Sequence, residues 1–234
     1  MKGLSLAAIA SACGGTCYGP EELLSREITG VAIDSRKIEE GFLFVPIKGA
    51  RVDGHDFIEQ VMEKGALCSL SEHSLGDVPN PYIVVESTEQ ALKDLARYYR
   101  SRLNLKVIGI TGSVGKTSTK ELIASVLAQK YHVLKTEGNY NNEIGLPLTI
   151  FRLTEEDEIA VLEMGIDHFG EMHRLADIAR PDVCVITNIG YAHLESLGSR
   201  EGILKAKTEM FDHLQDEFCV VLNGDDDMLR TVSD

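Results

Sequence analysis

The heptapeptide Gly112-Ser113-Val114-Gly115-Lys116-Thr117-Ser118 is the segment whose residue types most directly specify a chemistry. Glycines let a backbone curl so that successive N–H groups point inward, the arrangement that holds phosphate oxygens. A lysine after the second glycine brings a charge to the β- and γ-phosphates of a nucleotide, and the following threonine offers a hydroxyl to Mg²⁺. The general pattern G-x-x-x-x-G-K-[ST] would put its first glycine at Ile110, whereas the glycines here are Gly109 and Gly112, so the loop is a shortened variant. By itself the segment reads either as a nucleotide site or as a tight turn with an exposed lysine. The flanks favour the first reading: an apolar strand over 107–111 precedes it, and a helix follows whose face is predicted to be Leu122, Ile123, Val126 and Leu127.

Three further polar residues fall where that chemistry could use them. Glu163 interrupts the apolar run 159–165 near the predicted carboxyl end of its strand. A carboxylate there is costly unless compensated, either by Mg²⁺ shared with Thr117 and phosphate oxygens or by an arginine or backbone partner. His193 follows the strand over 183–187 and the turn Asn188-Ile189-Gly190. It reads as a surface histidine or, from its predicted place beside Glu163 and the loop, as a functional one. Lys207 shares a helical face with Ile203, Met210 and Leu214, while Lys205 points the opposite way. It either snorkels to solvent or is buried with a lowered pKa, which would free a neutral amine for chemistry.

These residues need a scaffold, and the chain is long enough for one. Its 234 residues, 44% hydrophobic and 26% charged, fit a folded protein of one large or two modest domains. Residues 1–86 mix β-rich runs at 28–33, 42–47 and 82–85 with helical spacing at Phe57, Ile58, Val61 and Met62, predicting a small α/β domain. Ser87 or Thr88 caps a helix to about residue 102 that bridges to a second domain, 87–234. There the apolar strands 107–111, 159–164, 183–187 and 219–222 alternate with helices, which predicts a parallel sheet covered on both faces. In such sheets ligands gather beyond the carboxyl ends of the strands.

Bulk properties restrict the partners. A net charge of −14 argues against nucleic acid or an anionic membrane, so polyphosphate must be gripped locally. Five cysteines without a C-x-x-C pair suggest neither a disulfide framework nor a zinc site, and fit a reducing cytoplasm. The apolar stretch 4–12 behind Lys2 is faintly like an export signal, but reads equally as a short helix capped by Ser5.

The remaining motifs extend the pattern over the whole chain. The first domain carries Asp34-Ser35-Arg36, Gly41-Phe42-Leu43-Phe44-Val45, Lys48-Gly49 and Asp53-Gly54-His55-Asp56-Phe57-Ile58. The second carries Gly138-Asn139-Tyr140-Asn141-Asn142-Glu143-Ile144-Gly145-Leu146-Pro147, Glu163-Met164-Gly165, Gly170-Glu171-Met172 and Asn188-Ile189-Gly190-Tyr191-Ala192-His193-Leu194. Together these resemble the Mur ligases, whose own form of the phosphate loop is similarly shortened. Within the family they are most similar to the branch that joins D-alanyl-D-alanine to UDP-N-acetylmuramoyl-tripeptide. The branch that adds the third peptide residue is less similar around 139–147 and 170–172.

The resemblance implies a small N-terminal UDP-binding α/β domain followed by a P-loop, parallel-sheet central domain. In the family that domain continues well past residue 234 and a third domain follows, so it implies an incomplete central domain and little or no ligase turnover. It further implies that ATP sits on residues 112–118 and that Thr117 and Glu163 serve one Mg²⁺. A second Mg²⁺ would involve His193 and a carbamylated Lys207. Ser35, Arg36 and Lys48 would meet the UDP portion, and Asn139, Asn142 and His168 the muramoyl peptide. The chain would act as a cytoplasmic monomer. Two other classes stay open: a P-loop kinase or simple ATPase, and a non-catalytic fragment that binds ATP and UDP-sugar.

Overall fold

The computed structural model describes residues 1, 3–214 and 218–232, and it divides into two compact units, Met1–Tyr99 and Arg100–Asp234. In the first unit, α1 (Leu6–Ala12) begins where Ser5 Oγ accepts the Ala8 N–H at 3.3 Å, as its sequence predicts, and it buries Leu6, Ile9 and Ala10. Lys2, the basic residue ahead of it, lies outside the described residues. There follow β1 (Thr16–Tyr18), β2 (Val31–Ala32), β3 (Leu43–Phe44), α2 (Ile58–Glu63), β4 (Cys68–Ser71), β5 (Tyr82–Val84) and α3 (Thr88–Ser101). The sheet order is β1-β5-β4-β3-β2, with β1 antiparallel to β5 and every other pair parallel.

β2 and β3 are shorter than the apolar runs 28–33 and 42–47 suggest. Asp34 accepts the Arg36 N–H and turns the chain into a 3-10 turn directly after β2, and Pro46 has no N–H to extend β3. The α3 stripe of Ala91, Leu92, Leu95, Ala96 and Tyr99 is buried as predicted, and Ser87 Oγ accepts the Gln90 N–H at 3.3 Å at its start.

The second unit contains β6 (Lys106–Thr111), α4 (Lys116–Leu127), β7 (Val133–Lys135), α5 (Gly145–Ile150), β8 (Ile159–Glu163), α6 (Glu171–Ala179), β9 (Val183–Ile186), α7 (Leu194–Leu197), α8 (Arg200–Thr208) and β10 (Cys219–Leu222). Its sheet, in the order β10-β9-β6-β8-β7, is parallel throughout. The α/β reading of the sequence is therefore borne out, with β7 as an addition to the strands foreseen. β6 is the centre of the sheet: Ile110 is in register with Glu163 of β8, and Thr111 with Ile186 of β9. The chain thus leaves β6 between the ends of two strands whose own connections carry polar residues, the position at which parallel sheets form a crevice.

The predicted face of α4 needs correction. Ile123 and Leu127 do pack with Ala124 against Ile110, Val161 and Val185, but Leu122 and Val126 are 67% and 70% exposed. Both pairs have i, i+4 spacing and form adjacent stripes; the sheet takes the stripe that also carries Lys120 and Ala124. α8 ends at Thr208 and gives way to a 3-10 turn, Glu209–His213, so Met210 stays buried although the α-helix does not reach Leu214. Among the described residues, no helix is long and apolar enough to cross a membrane.

Candidate active site

The loop after β6 is shaped by two glycines. Gly112 has φ +146°, and a Cβ there would lie 1.9 Å from Thr187 Oγ1, so a side chain cannot be accommodated. Gly115, at φ +85°, turns the backbone into the first turn of α4. Lys116 Nζ donates to Gly112 O at 2.8 Å and folds back over the loop. The N–H groups of Ser113 and Val114 both donate to Asn188 Oδ1, at 3.1 and 3.0 Å, while Ser113 Oγ accepts the Gly190 N–H at 2.8 Å. Successive amides therefore converge on one oxygen, which is the property that lets such loops hold a phosphate.

Glu163 reaches the same place from β8. It is 3% exposed; Thr117 Oγ1 donates to its Oε2 at 2.9 Å and Asn141 Nδ2 to its Oε1 at 2.8 Å. Its partners are thus a hydroxyl and an amide rather than the arginine considered from sequence. The Glu163 N–H donates to Thr136 Oγ1 at 3.0 Å.

A cleft of about 380 Å³ opens here, lined among others by Lys116, Asn141, Asn142, Gly165, Asp167 and His193. His193 stands at the N-terminal end of α7 with φ 63°, and its Nδ1 pairs with Asp167 Oδ1 at 3.0 Å. Lys207, on α8, is 1% exposed. Burial, aided by the nearby Lys116 charge and opposed by Asp167, pushes its ammonium pKa down to about 8. The snorkelling alternative is therefore not adopted.

The other sequence-predicted residues divide into three groups. Asn142 lines the cleft, and its Oδ1 accepts the Gly145 N–H at 2.8 Å at the start of α5. Asn139 and His168 do not line it; His168 lies outside, its Nδ1 3.4 Å from Glu171 Oε1. Ser35, Arg36 and Lys48 belong to the first unit, on the connections that follow β2 and β3. There the Arg36 guanidinium is held by both Asp34 oxygens at 2.9 and 2.8 Å, and that arrangement pushes the Asp34 carboxyl down to about 2.

Sequence reasoning did not single out Asn141, Asp167, Lys120 or Thr136. Asn141 was visible within the Asn-rich motif, but nothing in its spacing told it from Asn139 and Asn142. Lys120 falls one turn after Lys116, and nothing in its spacing marks it out; it is 1% exposed.

Whether the donor set suits Mg²⁺ can be judged from its chemistry. The groups meeting at Thr117 and Glu163 are oxygens, as a hard cation requires. Among the described residues, no cluster of three His, Cys, Asp or Glu could hold a metal by itself.

A loop of converging amides at the centre of a parallel sheet, with a buried carboxylate on the adjoining strand, defines a P-loop type of α/β unit. Comparison with known proteins narrows the class. The Mur ligase middle domain matches residues 110–234, and the Mur ligase family catalytic domain matches residues 27–100. This chain belongs to the Mur ligase family. A UDP-N-acetylmuramoyl-tripeptide–D-alanyl-D-alanine ligase of Bacillus subtilis is 47% identical over 95% of this chain and 49% of its own length. Among solved structures, MurF from Acinetobacter baumannii superposes with a TM-score of 0.89 at 36% identity, over 97% of this chain and 50% of that one. MurF ligase from Thermotoga maritima in complex with ADP gives 0.80 at 40% identity, over 86% and 47%. The chain spans about half the length of the curated relatives it matches.

Proposed function

We propose that this chain carries the substrate- and nucleotide-binding units of a cytoplasmic, ATP-dependent ligase that joins D-alanyl-D-alanine to UDP-N-acetylmuramoyl-tripeptide. The observation that carries the reading is the 2.9 Å hydrogen bond from Thr117, on the phosphate loop's helix, to buried Glu163. The names of the relatives, and ADP in the Thermotoga maritima structure, support the same reading.

In this reading the tripeptide's terminal carboxylate attacks the γ-phosphorus of ATP, ADP leaves, and an acyl phosphate forms. The dipeptide amine then attacks the acyl carbon, and phosphate leaves as the amide bond closes. Both steps accumulate negative charge on oxygen. Lys116 and the amides of Ser113 and Val114 are the groups that stabilise it, once phosphate takes over from Gly112 O and Asn188 Oδ1 as their acceptor. Mg²⁺ would be held by Thr117 and Glu163, with a second ion at His193 and Lys207, and supplies Lewis-acid neutralisation of phosphate charge. Asp167 orients the His193 ring for that task.

Lys207 in its neutral form adds to CO₂: its nitrogen lone pair forms the N–C bond, a proton leaves to solvent, and the carbamate presents anionic oxygens. Asn139, Asn142 and His168 would meet the muramoyl peptide, and Ser35, Arg36 and Lys48 the UDP portion. The protein acts as a monomer, without nucleic acid or membrane as partner.

Titration calorimetry tests the reading. ADP should bind with Mg²⁺, UDP-N-acetylmuramoyl-tripeptide should bind on its own, and Lys116→Ala should abolish the ADP heat alone. Absence of ADP binding by the unmodified chain would overturn it.

A further inference from the structure

We propose that Lys120 is a positioning residue that sets the separation of the two protein ligands of the first Mg²⁺. This rests on the nucleotide reading above and assigns a role to a side chain outside the cleft.

Lys120 is fully inside the second unit, 1% exposed, on the buried stripe of α4. Its Nζ donates to Thr136 O at 2.7 Å, and Glu121 Oε1 lies 3.1 Å from it. Thr136 follows directly after β7 and is itself 0% exposed. Its N–H donates to Val161 O at 3.1 Å and its hydroxyl accepts the Glu163 N–H at 3.0 Å, so it is fastened to β8 at both points. Glu163 in turn receives the Thr117 hydroxyl at 2.9 Å. Thr117 and Lys120 share α4, three residues apart, and a helix holds such a pair on one side. The contacts therefore close a ring: Thr117, the first turns of α4, Lys120, Thr136, Glu163, and back to Thr117.

The consequence is geometric. Without the Lys120 link, the polar ties left between the described residues of α4 and the sheet are the Thr117–Glu163 hydrogen bond itself and the exposed Glu121–Lys135 pair, so the Thr117 hydroxyl would be freer to move relative to the Glu163 carboxylate. With it, the helix that carries one ligand is bolted to the strand that carries the other. An apolar residue of similar volume would fill the stripe without the desolvation cost of an ammonium. The lysine therefore adds a directed donor rather than packing alone. Outer hydrogen bonds of this kind orient the ligands of metal sites and change metal affinity when removed.

Glu121 also faces Lys120 and is shared with Lys135. A purely structural role, in which Lys120 is only a neutralised core lysine, would affect folding and leave metal dependence alone.

The discriminating measurement is the ratio of ADP affinities with Mg²⁺ and with EDTA, by calorimetry on the 234-residue chain. Lys120→Met should reduce that ratio about tenfold while leaving the metal-free affinity within about twofold, because the loop amides and Lys116 are untouched. Thr136→Val, which removes only the hydroxyl that receives Glu163 N–H, should move the ratio in the same direction. It decides the matter should Lys120→Met fail to fold by circular dichroism. A wild-type ratio in a folded Lys120→Met protein, or in Thr136→Val when the former does not fold, overturns the proposal. If the unmodified chain binds ADP without any gain from Mg²⁺, the underlying metal assignment fails and the positioning role goes with it. If it binds no ADP at all, the nucleotide reading itself has failed.

Discussion

Replacing Lys207 by methionine should make the second unit more stable at neutral pH, in spite of removing a residue assigned to the active site. The ammonium pKa falls from its ordinary 10.5 to about 8. At about 1.4 kcal/mol per unit, holding that charge inside costs the fold about 3 kcal/mol. The direction with pH follows from proton counting. Between about 8 and 10.5 the unfolded chain binds a proton at this lysine that the folded chain does not, so wild-type stability rises with pH across that window. Below about 8 both states are protonated and the full penalty applies. Methionine has similar reach and no charge, so Lys207→Met should gain about 1–3 kcal/mol at pH 7, allowing for lost contacts. The gain should shrink towards zero by pH 10.5 as the wild-type amine becomes neutral. Urea denaturation followed by far-ultraviolet circular dichroism, in buffers sparged of CO₂, gives the comparison. The difference between the two proteins cancels the titration of groups that are not coupled to Lys207, leaving Lys116 and Asp167 as the neighbours that act on it. Adding carbon-13 labelled bicarbonate should then stabilise the wild type alone and yield a carbamate resonance absent from Lys207→Met. A methionine variant less stable than wild type at pH 7, or a difference that does not vary with pH, would refute the reasoning.

Other perturbations probe the supports of the site. Gly112→Ala forces a Cβ to within 1.9 Å of Thr187 Oγ1 at a φ of +146°; it should cost about 1–3 kcal/mol and weaken ADP binding, seen as a lower melting temperature and a smaller calorimetric heat. Arg100→Met removes donors to the carbonyls of Ala179, Leu103 and Leu105 at 3.1, 3.0 and 3.2 Å. Losing those three buried hydrogen bonds should cost on the order of 3 kcal/mol in urea denaturation. Ser5→Ala deletes the oxygen that caps α1 and should cost about 1 kcal/mol, with faster amide exchange confined to the first turn of that helix.

How much of this was legible beforehand depended on which interactions set each feature. The phosphate loop is local: two glycines, a lysine and a threonine between a strand and a helix fix their own conformation, and residues 112–118 fold as their spacing suggests. The strands of the parallel sheet were legible because they are buried on both faces and so are nearly continuous in apolar residues. β7 was not, since Val133, Leu134 and Lys135 are only half-buried at the sheet edge. β4 was missed for a different reason: Ser69 and Ser71 are buried polar residues that break the apolar run and are satisfied by carbonyls of Leu70 and His73. On α4, Leu122 and Val126 could not be told from Ile123 and Leu127 by period alone, because either pair makes a valid helical stripe. The network around Glu163 depends on Thr136, Asn141 and Thr117, which lie 27, 22 and 46 residues away in sequence. No local pattern encodes contacts of that separation.

The two buried lysines show why identity and burial together still do not determine a role. Lys120 and Lys207 are each 1% exposed. Lys120 finds a carbonyl and a carboxylate within 2.7 and 3.1 Å, so its ammonium is a fixed donor and its contribution is geometric. Lys207 faces Lys116, and burial outweighs the attraction of Asp167, so its proton is held weakly and its nitrogen becomes available as a nucleophile. What separates them is the company each keeps: Lys120 has oxygen partners at hydrogen-bond distance, whereas burial, reinforced by the Lys116 charge, works against the Lys207 ammonium. In a chain of net charge −14, gathering Lys116, Lys207 and the loop amides at one end of a sheet creates a local preference for anions. Burial is the main reason the hold on Lys207's proton is weak, and the like-charge crowding that adds to it is the crowding that a bound polyphosphate or a carbamate would relieve. Two anions that draw on the same positive potential should each weaken the other, so nucleotide binding and carbamate formation are compatible only where a divalent cation restores the balance of charge.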